Sequence, residues 1–380
     1  MEILDVYPLL DLKPVKAEGS YVFCNDGNRY LDFYGGHAVI SIGHSHPHYI
    51  NEITEQLNDI GFYSNSVQNP LQQELATKLG ELSGYHDYQL FLCNSGAEAI
   101  ENALKMASFH NGKSKVISFE QAFHGRTTSA LNITDKDAYT APINDSSEVV
   151  FLEMNNLKAV EEEISKGDVC AVVLEPVQGI GGIRLFEDFF LQEVSKLCKE
   201  RGVVLICDEI QSGFGRTGKF FAHQHAGIQP DIITVAKGMG NGFPVAGTIL
   251  SSEFEAKHGR LGSTFGGNHL ACAAAKAVLE VIENEQLIHH AAKVGSQLFE
   301  ALTDLPRIDE VRGRGLIIGL ELPYPIKELR HKLIVEEHII TGIASNPNVL
   351  RLLPPLSVTT KEVADFTNAM ENILTEYQLQ

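Results

Sequence analysis

Short apolar runs rich in β-forming residues alternate with longer amphipathic runs through the middle of this 380-residue chain. No other feature constrains the fold as much. Helical patterns such as LQEVSKLCKERG (191–202) separate some of these runs. The runs with strand character are QLFLC (89–93), KVISF (115–119), DVCAVVLE (168–175), VVLICDE (203–209), IITVA (232–236) and VAGTILS (245–251). This order predicts an α/β fold with a mostly parallel sheet covered by helices on both faces. Ligands bind such sheets at the carboxyl ends of the strands.

The pattern changes after about residue 265. A long Ala-rich helical stretch, LACAAAKAVLEVIENE, leads to a second helix, a strand in GLIIGLEL (315–322) and a final helix. With the first 45 or so residues, this part of the chain predicts a smaller α+β domain built from both termini. The predicted division is therefore a large domain over residues 46–264 and a small domain over residues 1–45 and 265–380.

The composition excludes several classes of partner. Asp and Glu number 49 against 30 Lys and Arg, for a formal net charge of −19. Such a chain lacks the basic clusters that nucleic acids and anionic membranes require. The six cysteines form no C-x-x-C pair, which favours reduced core thiols over a disulfide framework or a zinc site. No apolar run is long enough to span a bilayer. We therefore expect a cytoplasmic protein with small-molecule partners.

Three predicted strands end at residues that can bind a ligand or take part in a reaction. Ser95 and Gly96 follow QLFLC at the start of a helix, where free amides and the helix dipole favour an anion. Asp208 ends VVLICDE, and Lys237 follows IITVA with glycines at 238, 240 and 242. Each residue alone has a simpler interpretation as a helix cap, a turn cap or a surface lysine. Together they match pyridoxal 5′-phosphate, which needs an amine, an acid beside its ring nitrogen and a phosphate cradle.

A series of motifs carries a family resemblance over nearly the whole chain. The chain resembles the class III aminotransferases of pyridoxal-phosphate fold type I, and within that class the acetylornithine and succinylornithine aminotransferases. This resemblance implies a large domain with a mostly parallel seven-stranded sheet. The matching stretches are GHSHP (43–47), NSGAEA (94–99), FHGRT (123–127), EPVQG (175–179), DEIQSGFGRTG (208–218), AKG (236–238), STFGGN (263–268) and RLLPPL (351–356).

The resemblance implies roles around the cofactor ring. Lys237 matches the lysine that forms the Schiff base and shuttles the proton. Asp208 matches the partner of the pyridinium nitrogen, and Gln211 the donor to the phenolic oxygen. Phe123 is expected to stack on one face of the ring and Ile210 to pack beneath it.

The resemblance also implies a homodimer with shared active sites. Ser95, Gly96 and Ala97 of one subunit and Thr264 of the other would hold the phosphate. Ala97 replaces a hydroxyl residue found in some relatives, so its contact would come from the backbone alone.

Two arginines match the substrate-binding residues of the family. Arg126 is similar to the residue that binds the α-carboxylate of the acylated ornithine, and Arg351 to the one that binds glutamate. A guanidinium suits both because its planar fork binds a carboxylate through two parallel hydrogen bonds. The implied reaction moves the δ-amino group of an N²-acylornithine to 2-oxoglutarate, giving N-acylglutamate 5-semialdehyde and glutamate, in arginine metabolism.

Two positions depart from the family pattern. Ile180 stands where many relatives have a glutamate that neutralises the glutamate-binding arginine. Solvent, Glu175 or a carboxylate of the substrate would then neutralise Arg351, and the last option favours a succinyl over an acetyl donor. His37 stands where acylornithine relatives usually have an aliphatic residue and ornithine relatives an aromatic one, at a position that lines the substrate entrance in the family. It is either a hydrogen-bond donor to an acyl group or an ordinary loop histidine.

Other activities remain as alternatives. Ornithine, lysine or 4-aminobutyrate aminotransferases share the chemistry, and an aminomutase or a non-catalytic cofactor-binding scaffold fits less well. The sequence leaves open the acyl group, the direction of the pathway and any assembly beyond a dimer. The histidines of GHSHPH, His44, His46 and His48, are not expected to bind a metal.

Overall fold

The structure is a computed structural model that describes residues 1–144 and 148–376. The strands are β1 (Pro14–Glu18), β2 (Tyr21–Cys24), β3 (Arg29–Asp32), β4 (Gln89–Cys93), β5 (Lys115–Phe119), β6 (Val149–Leu152), β7 (Val169–Leu174), β8 (Val177–Gln178), β9 (Arg184–Leu185), β10 (Val204–Asp208), β11 (Ile232–Val235), β12 (Ala246–Leu250), β13 (Glu310–Arg314), β14 (Ile317–Glu321), β15 (Ile339–Ile340), β16 (Gly342–Ile343) and β17 (Val349–Leu352). The α-helices are α1 (Gly35–Ala38), α2 (Pro47–Asp59), α3 (Pro70–Ser83), α4 (Gly96–Asn111), α5 (Thr128–Asn132), α6 (Leu157–Ser165), α7 (Asp188–Arg201), α8 (His269–Asn284), α9 (Leu287–Thr303), α10 (Lys327–Val335) and α11 (Thr360–Glu376).

A seven-stranded sheet with the order β4-β12-β11-β10-β7-β5-β6 forms the centre of the fold. Strand β12 is antiparallel to both of its neighbours, and the other strands point in one direction. Every residue of β7 and β10 is buried. These strands therefore read as continuous apolar runs, as expected for parallel strands covered on both faces. The predicted mostly parallel seven-stranded sheet is confirmed.

Helices cover the two faces of this sheet with different residues of the same strands. On one face, Val204 and Ile206 of β10 pack in a cluster with Ile100 and Met106 of α4. On the other face, Leu205 and Cys207 pack in a cluster with residues of α6 and α7. Alternate side chains of one strand thus face opposite helical layers, because successive side chains point to opposite sides of a sheet.

The N-terminal and C-terminal parts of the chain share secondary structure. Strand β15 pairs with β3 in a sheet of order β1-β2-β3-β15, with Leu31 opposite Ile339. A second antiparallel sheet has the order β13-β14-β17-β16. This arrangement agrees with an α+β region built from both termini. The exact division after residues 45 and 264 stays a prediction, since one hydrophobic cluster runs from Leu75 and Ile233 to Phe366.

The two strands that lead to Asp208 and Lys237 end within about one residue of their predicted ends. Strand β10 ends at Asp208 as expected. Strand β11 ends at Val235, and Lys237 instead begins a single turn of 3₁₀ helix, Lys237–Met239. The six cysteines are buried and unpaired. Over the part of the chain that the structure describes, no helix has both the length and the apolar character needed to cross a membrane.

The three histidines of GHSHPH bind separate carboxylates. Nε2 of His44 lies 2.9 Å from Asp32, that of His46 lies 2.8 Å from Glu285, and that of His48 lies 2.7 Å from Glu280. The partners of His46 and His48, Glu285 and Glu280, lie 239 and 232 positions away in the chain, so the local sequence does not reveal them. The histidines therefore hold α2 and its entry loop against other elements.

Candidate active site

A cavity of about 320 Å³ lies at the carboxyl ends of β4, β10 and β11. This volume lies near the lower end of the range for small-molecule sites. The cavity brings together most of the predicted cofactor-binding residues, because the carboxyl ends of these strands meet at one edge of the sheet. Its lining includes Ser95, Gly96, Ala97, Phe123, His124, Glu175, Asp208, Ile210, Gln211 and Lys237.

Lys237 reaches this cavity from an unusual backbone conformation. Its φ of 44° lies in the left-handed region, which costs energy for a residue with a side chain. The turn that begins at Lys237 ends at Gly240, which is closely packed, since an added Cβ there would lie 2.1 Å from the carbonyl oxygen of Phe243. Burial lowers the pKa of Lys237, and the negative charges of Asp208 and Glu175 only partly oppose this effect. A lowered pKa increases the neutral amine fraction, which is the form that acts as nucleophile and base.

Asp208 is buried and paired with a histidine that the sequence analysis missed. Its Oδ2 lies 2.7 Å from Nδ1 of His124, and its Oδ1 accepts a hydrogen bond from the amide of Ile210. Burial alone would lower the pKa of His124, but the hydrogen bond to Asp208 and the charges of Asp208 and Glu175 outweigh it and raise the pKa. The pair therefore presents a carboxylate, supported by an imidazole, to a cationic group in the cavity. The sequence signal for this pair was the histidine of the FHGR motif, which is His124.

The N-terminus of α4 forms one end of the cavity. Among the described residues, no acceptor binds the amides of Gly96 and Ala97, as expected in the first turn of a helix. The Ser95 hydroxyl instead donates to Glu98 and accepts from the Glu98 amide, as a helix cap. A Cβ at Gly96 would lie 2.8 Å from the side chain of Ile210, so glycine at this position lets Ile210 pack close to the start of α4. The free amides and the dipole suit a phosphate.

Phe123 and Ile210 both line the same cavity. The amide of Phe123 donates to Oε1 of Glu175, and the amide of Gly179 donates to Oε2 of the same carboxylate. Burial raises the pKa of Glu175, although His124 and these two amides act in the opposite direction. Glu175 directly follows β7, and it therefore holds the loop that contains Phe123 against the carboxyl end of that strand.

The residues present fit pyridoxal phosphate. An amine with a lowered pKa, a buried carboxylate and free helix amides lie on one small cavity that also has apolar side chains. These are the groups that the cofactor needs for its carbonyl carbon, its ring nitrogen and its phosphate.

Arg351 is fully buried beneath this cavity. Its Nε donates to the carbonyl of Ile343 and its Nη1 donates to Oε1 of Gln211 at 3.3 Å. Its Nη2 has no partner, and none of the described carboxylates lies within 4 Å of it. Burial lowers the pKa of Arg351 to about 10, against the influence of Tyr34 and Glu175. The unpaired Nη2 of a buried guanidinium favours a carboxylate partner, while Arg351 itself does not line the cavity.

Ile180 lies in the loop after β8, and its carbonyl accepts a hydrogen bond from the amide of Ser345. Ser345 is two positions from Ile343, which Arg351 contacts. The loop thus packs against the segment that borders the buried arginine, and it brings no acid there.

The other predicted residues lie outside the cavity lining. Arg126 is exposed, and its guanidinium lies 4.7 Å from the ring centre of Tyr139. Thr264 is exposed on the loop before α8, next to Ser263, whose hydroxyl accepts from the Asn94 amide group. Thr264 itself does not line the cavity, although its neighbour Ser263 contacts Asn94 of the lining.

His37 is partly exposed and contacts Tyr34. The hydroxyl of Tyr34 lies 2.5 to 2.6 Å from the ring nitrogens of His37. Partial burial, followed by the positive charges of Arg351, Lys237 and Arg126, lowers the pKa of His37 to about 4. His37 is therefore neutral at physiological pH, and its carbonyl also accepts a hydrogen bond from Gln211. The contact with Tyr34 was not expected from the sequence.

The fold and this cavity suit a pyridoxal-phosphate enzyme, and comparisons with known proteins identify its class. The family model described as aminotransferase class-III matches residues 6–374, so the chain belongs to the class III aminotransferases. Among curated relatives, the acetylornithine aminotransferase of Bacillus subtilis (strain 168) is 39% identical over 99% of this chain and 98% of its own. That of Archaeoglobus fulgidus is 40% identical over 97% of both chains.

Solved structures of related proteins share the fold. The ornithine aminotransferase from Toxoplasma gondii ME49 superimposes with a TM-score of 0.92 at 29% identity, covering 99% of this chain and 93% of its own. The acetylornithine aminotransferase from Elizabethkingia anophelis gives a TM-score of 0.85 at 29% identity, covering 98% of this chain and 96% of its own. The predictions of fold class and of a transaminase are confirmed.

Proposed function

We propose that this protein is a pyridoxal-phosphate-dependent aminotransferase that moves the δ-amino group of an N²-acylornithine to 2-oxoglutarate. The products are N-acylglutamate 5-semialdehyde and glutamate, within arginine metabolism. The observation that carries this proposal is the meeting of Lys237, Asp208 and the α4 amides on one cavity above a buried, unneutralised Arg351. The names of the curated relatives support the acylated donor.

The residues of the cavity hold the cofactor by charge, packing and free amides. Asp208 would keep the ring nitrogen protonated, with His124 supporting its carboxylate. Phe123 and Ile210 would enclose the ring, and the amides of Gly96 and Ala97 would bind the phosphate. When bound, pyridoxal phosphate supplies a carbonyl carbon that accepts amino groups and a ring that withdraws electrons from the attached carbon.

Lys237 serves as the catalytic base. Its Nζ removes the proton from the donor carbon that carries the amino group and later returns a proton to complete the transfer. The lowered pKa of Lys237 keeps the amine available for this work. The same residue performs the reverse proton movements with 2-oxoglutarate, so one base serves both halves of the reaction.

Arg351 recognises a carboxylate of 2-oxoglutarate and glutamate. Its free Nη2 and its full burial favour a paired, desolvated carboxylate over water. Arg126 binds the α-carboxylate of the acylornithine, and its exposure leaves it free to move from Tyr139 toward a substrate. His37 lies at the entrance to the substrate site, where its neutral ring can form one hydrogen bond with the acyl group.

The acyl group is proposed to be succinyl. Ile180 brings no carboxylate to Arg351, so the guanidinium stays without an anion while the donor is bound. A succinyl group carries its own carboxylate and supplies the missing partner, whereas an acetyl group does not.

A homodimer with shared active sites completes the proposal. An apolar patch surrounds the loop of Thr264, where Phe265 is 59% exposed and Tyr63 is 57% exposed. The rings of Phe62 and Phe265 lie 5.4 Å apart on this surface. Exposed aromatic patches of this kind are typical of interfaces. In such a dimer the partner's Thr264 reaches the phosphate, which its own chain does not achieve. The six unpaired thiols support a cytoplasmic location.

The experiment that tests the activity is a titration of the purified, cofactor-loaded protein with single amino donors. N-succinylornithine, N-acetylornithine and ornithine are added separately while the yellow absorbance of the cofactor is followed. Loss of this absorbance with an acylornithine, and its return with 2-oxoglutarate, is the expected result. Bleaching by ornithine alone would favour the ornithine aminotransferase alternative, and a protein that binds no cofactor would refute the proposal.

A further inference from the structure

A second buried polar network lies beneath the cavity, on the side away from the cofactor residues. Glu209 and His223 have no exposed surface, and Tyr85 is 6% exposed. The hydroxyl of Tyr85 lies 2.6 Å from Nε2 of His223, and Nδ1 of His223 lies 2.8 Å from Oε1 of Glu209. The hydroxyl of Ser212 donates to Oε2 of Glu209 at 2.6 Å. The network thus joins the end of α3 to the turn that follows β10.

The hydrogen bonds of this network fix the state of its histidine. Burial, followed by nearby negative groups, raises the pKa of Tyr85, so its hydroxyl keeps its proton and is available to donate to Nε2 of His223. Nδ1 of His223 then carries the proton and donates to Glu209. The backbone amide of His223 donates to the same oxygen at 2.9 Å. Each oxygen of Glu209 is therefore satisfied, as a buried carboxylate requires.

In the chain, Glu209 lies between two residues that line the cavity, Asp208 and Ile210. Asp208 and Ile210 face the cavity, while the side chain of Glu209 points into the protein interior. The amide of Glu209 donates to the carbonyl of Thr234 in β11, three residues before Lys237. Glu209 therefore joins the two strand ends that carry the acid and the amine.

We propose that Glu209, His223 and Tyr85 are positioning residues that fix the turn carrying Asp208 and Gln211 and so set how tightly the cofactor ring is held. This inference rests on the proposed cofactor-dependent function. None of the three side chains lines the cavity, so they act through the turn. A displacement of about 1 Å at a reacting group is enough to lower a rate roughly 100-fold. The network prevents such a displacement of Asp208.

The test compares three variants with a matched control. Tyr85→Phe removes only the hydroxyl. His223→Asn keeps a donor near the position of Nδ1 and loses the contact with Tyr85, and Glu209→Gln removes the charge at constant size. Tyr88→Phe is the control, because its ring lies 4.8 Å from that of Tyr85 but its hydroxyl binds the carbonyl of Pro230.

The readouts are the dissociation constant of pyridoxal phosphate, the visible spectrum of the loaded protein, and the melting temperatures of the free and loaded forms. Tyr85→Phe and His223→Asn are expected to weaken cofactor binding roughly threefold to tenfold, the range for one neutral hydrogen bond. Glu209→Gln, which affects bonds to a charged group, is expected to weaken it roughly 10- to 100-fold. The donor KM stays unchanged while kcat falls for both substrates, and Tyr88→Phe leaves cofactor binding unchanged.

Two results would overturn the inference separately from the function. If Tyr85→Phe and His223→Asn lower the melting temperature of the free protein but leave cofactor affinity and spectrum unchanged, the network is structural only. If Glu209→Gln does not fold, the other two variants still decide the matter. A wild-type protein that binds no pyridoxal phosphate would instead refute the proposed function, and this inference with it.

Discussion

Replacing Ile180 by glutamate tests how the protein neutralises its buried arginine. Ile180 follows Gly179, where an added Cβ would lie 1.8 Å from Oε1 of Gln211, the atom that Arg351 contacts. The carbonyl of Ile180 is bound by Ser345, two residues from the carbonyl that Nε of Arg351 contacts. A carboxylate at position 180 is therefore expected to pair with the guanidinium and to compete with a carboxylate of the donor.

The size of the effect follows from the burial of Arg351. Burial lowers its pKa from 12.5 to about 10, so the charged guanidinium is less stable there by roughly 3 kcal/mol than in water. A charged hydrogen bond to the free Nη2 contributes about 1.5–3 kcal/mol. This range corresponds to a factor of roughly 10 to 100 in binding. Glutamate at position 180 would supply this stabilisation before the substrate arrives.

The assay is the ratio of kcat/KM for N-succinylornithine to that for N-acetylornithine. We expect wild type to prefer the succinyl donor and Ile180→Glu to lower the ratio roughly 10- to 100-fold. Ile180→Gln is the control of similar size without charge, and it is expected to change the ratio less than about threefold. An unchanged ratio in an Ile180→Glu protein that still binds its cofactor would refute the argument that the substrate neutralises Arg351.

Three further predictions address the amine, the shared site and the entrance. Lys237→Ala is expected to lower turnover roughly 100- to 10,000-fold, the contribution of a positioned base. Borohydride reduction of the loaded wild type should attach the cofactor to the peptide containing Lys237, and attachment elsewhere would contradict the assignment. Inactive Lys237→Ala and Thr264→Asp proteins, mixed and reassociated, should recover roughly a quarter of wild-type activity, because half of the dimers then have one intact site; no recovery would argue against shared sites. The folded-state pKa of His37 lies below its ordinary value, so protonation favours the unfolded chain and this residue reduces stability as the pH falls from 6.5 to about 4. His37→Asn should therefore show a smaller fall in melting temperature between pH 7 and pH 5 than wild type, and an equal fall would contradict this assignment.

The cofactor side of the site was predictable because each of its residues follows a strand. QLFLC, VVLICDE and IITVA are recognisable as buried strands, and parallel strands deliver their carboxyl ends to one edge. Ser95, Asp208 and Lys237 were therefore expected to meet, and they line one cavity. The local sequence contained all the information that this step required.

Pairs that form across long stretches of chain were not predictable in this way. His124 meets Asp208 over 84 positions, and Tyr85 meets His223 over 138. No periodicity signals such a pair, because each partner lies on a different element and only the packing of those elements brings them together. The proposed role of Thr264 requires a second chain, and only the family resemblance of STFGGN (263–268) indicated it.

Gln211 connects the cofactor side of the site with the substrate side. Its Oε1 accepts from Arg351, and its Nε2 donates to the carbonyl of His37 at the entrance. The same turn carries Asp208, and Glu209 fixes that turn from below. A carboxylate that pairs with the free Nη2 of Arg351 would leave the bond from Nη1 to Oε1 of Gln211 in place. The Gln211 amide has one acceptor oxygen and two N–H donors, so it can hold Arg351 and the carbonyl of His37 together and still offer one donor to the proposed cofactor.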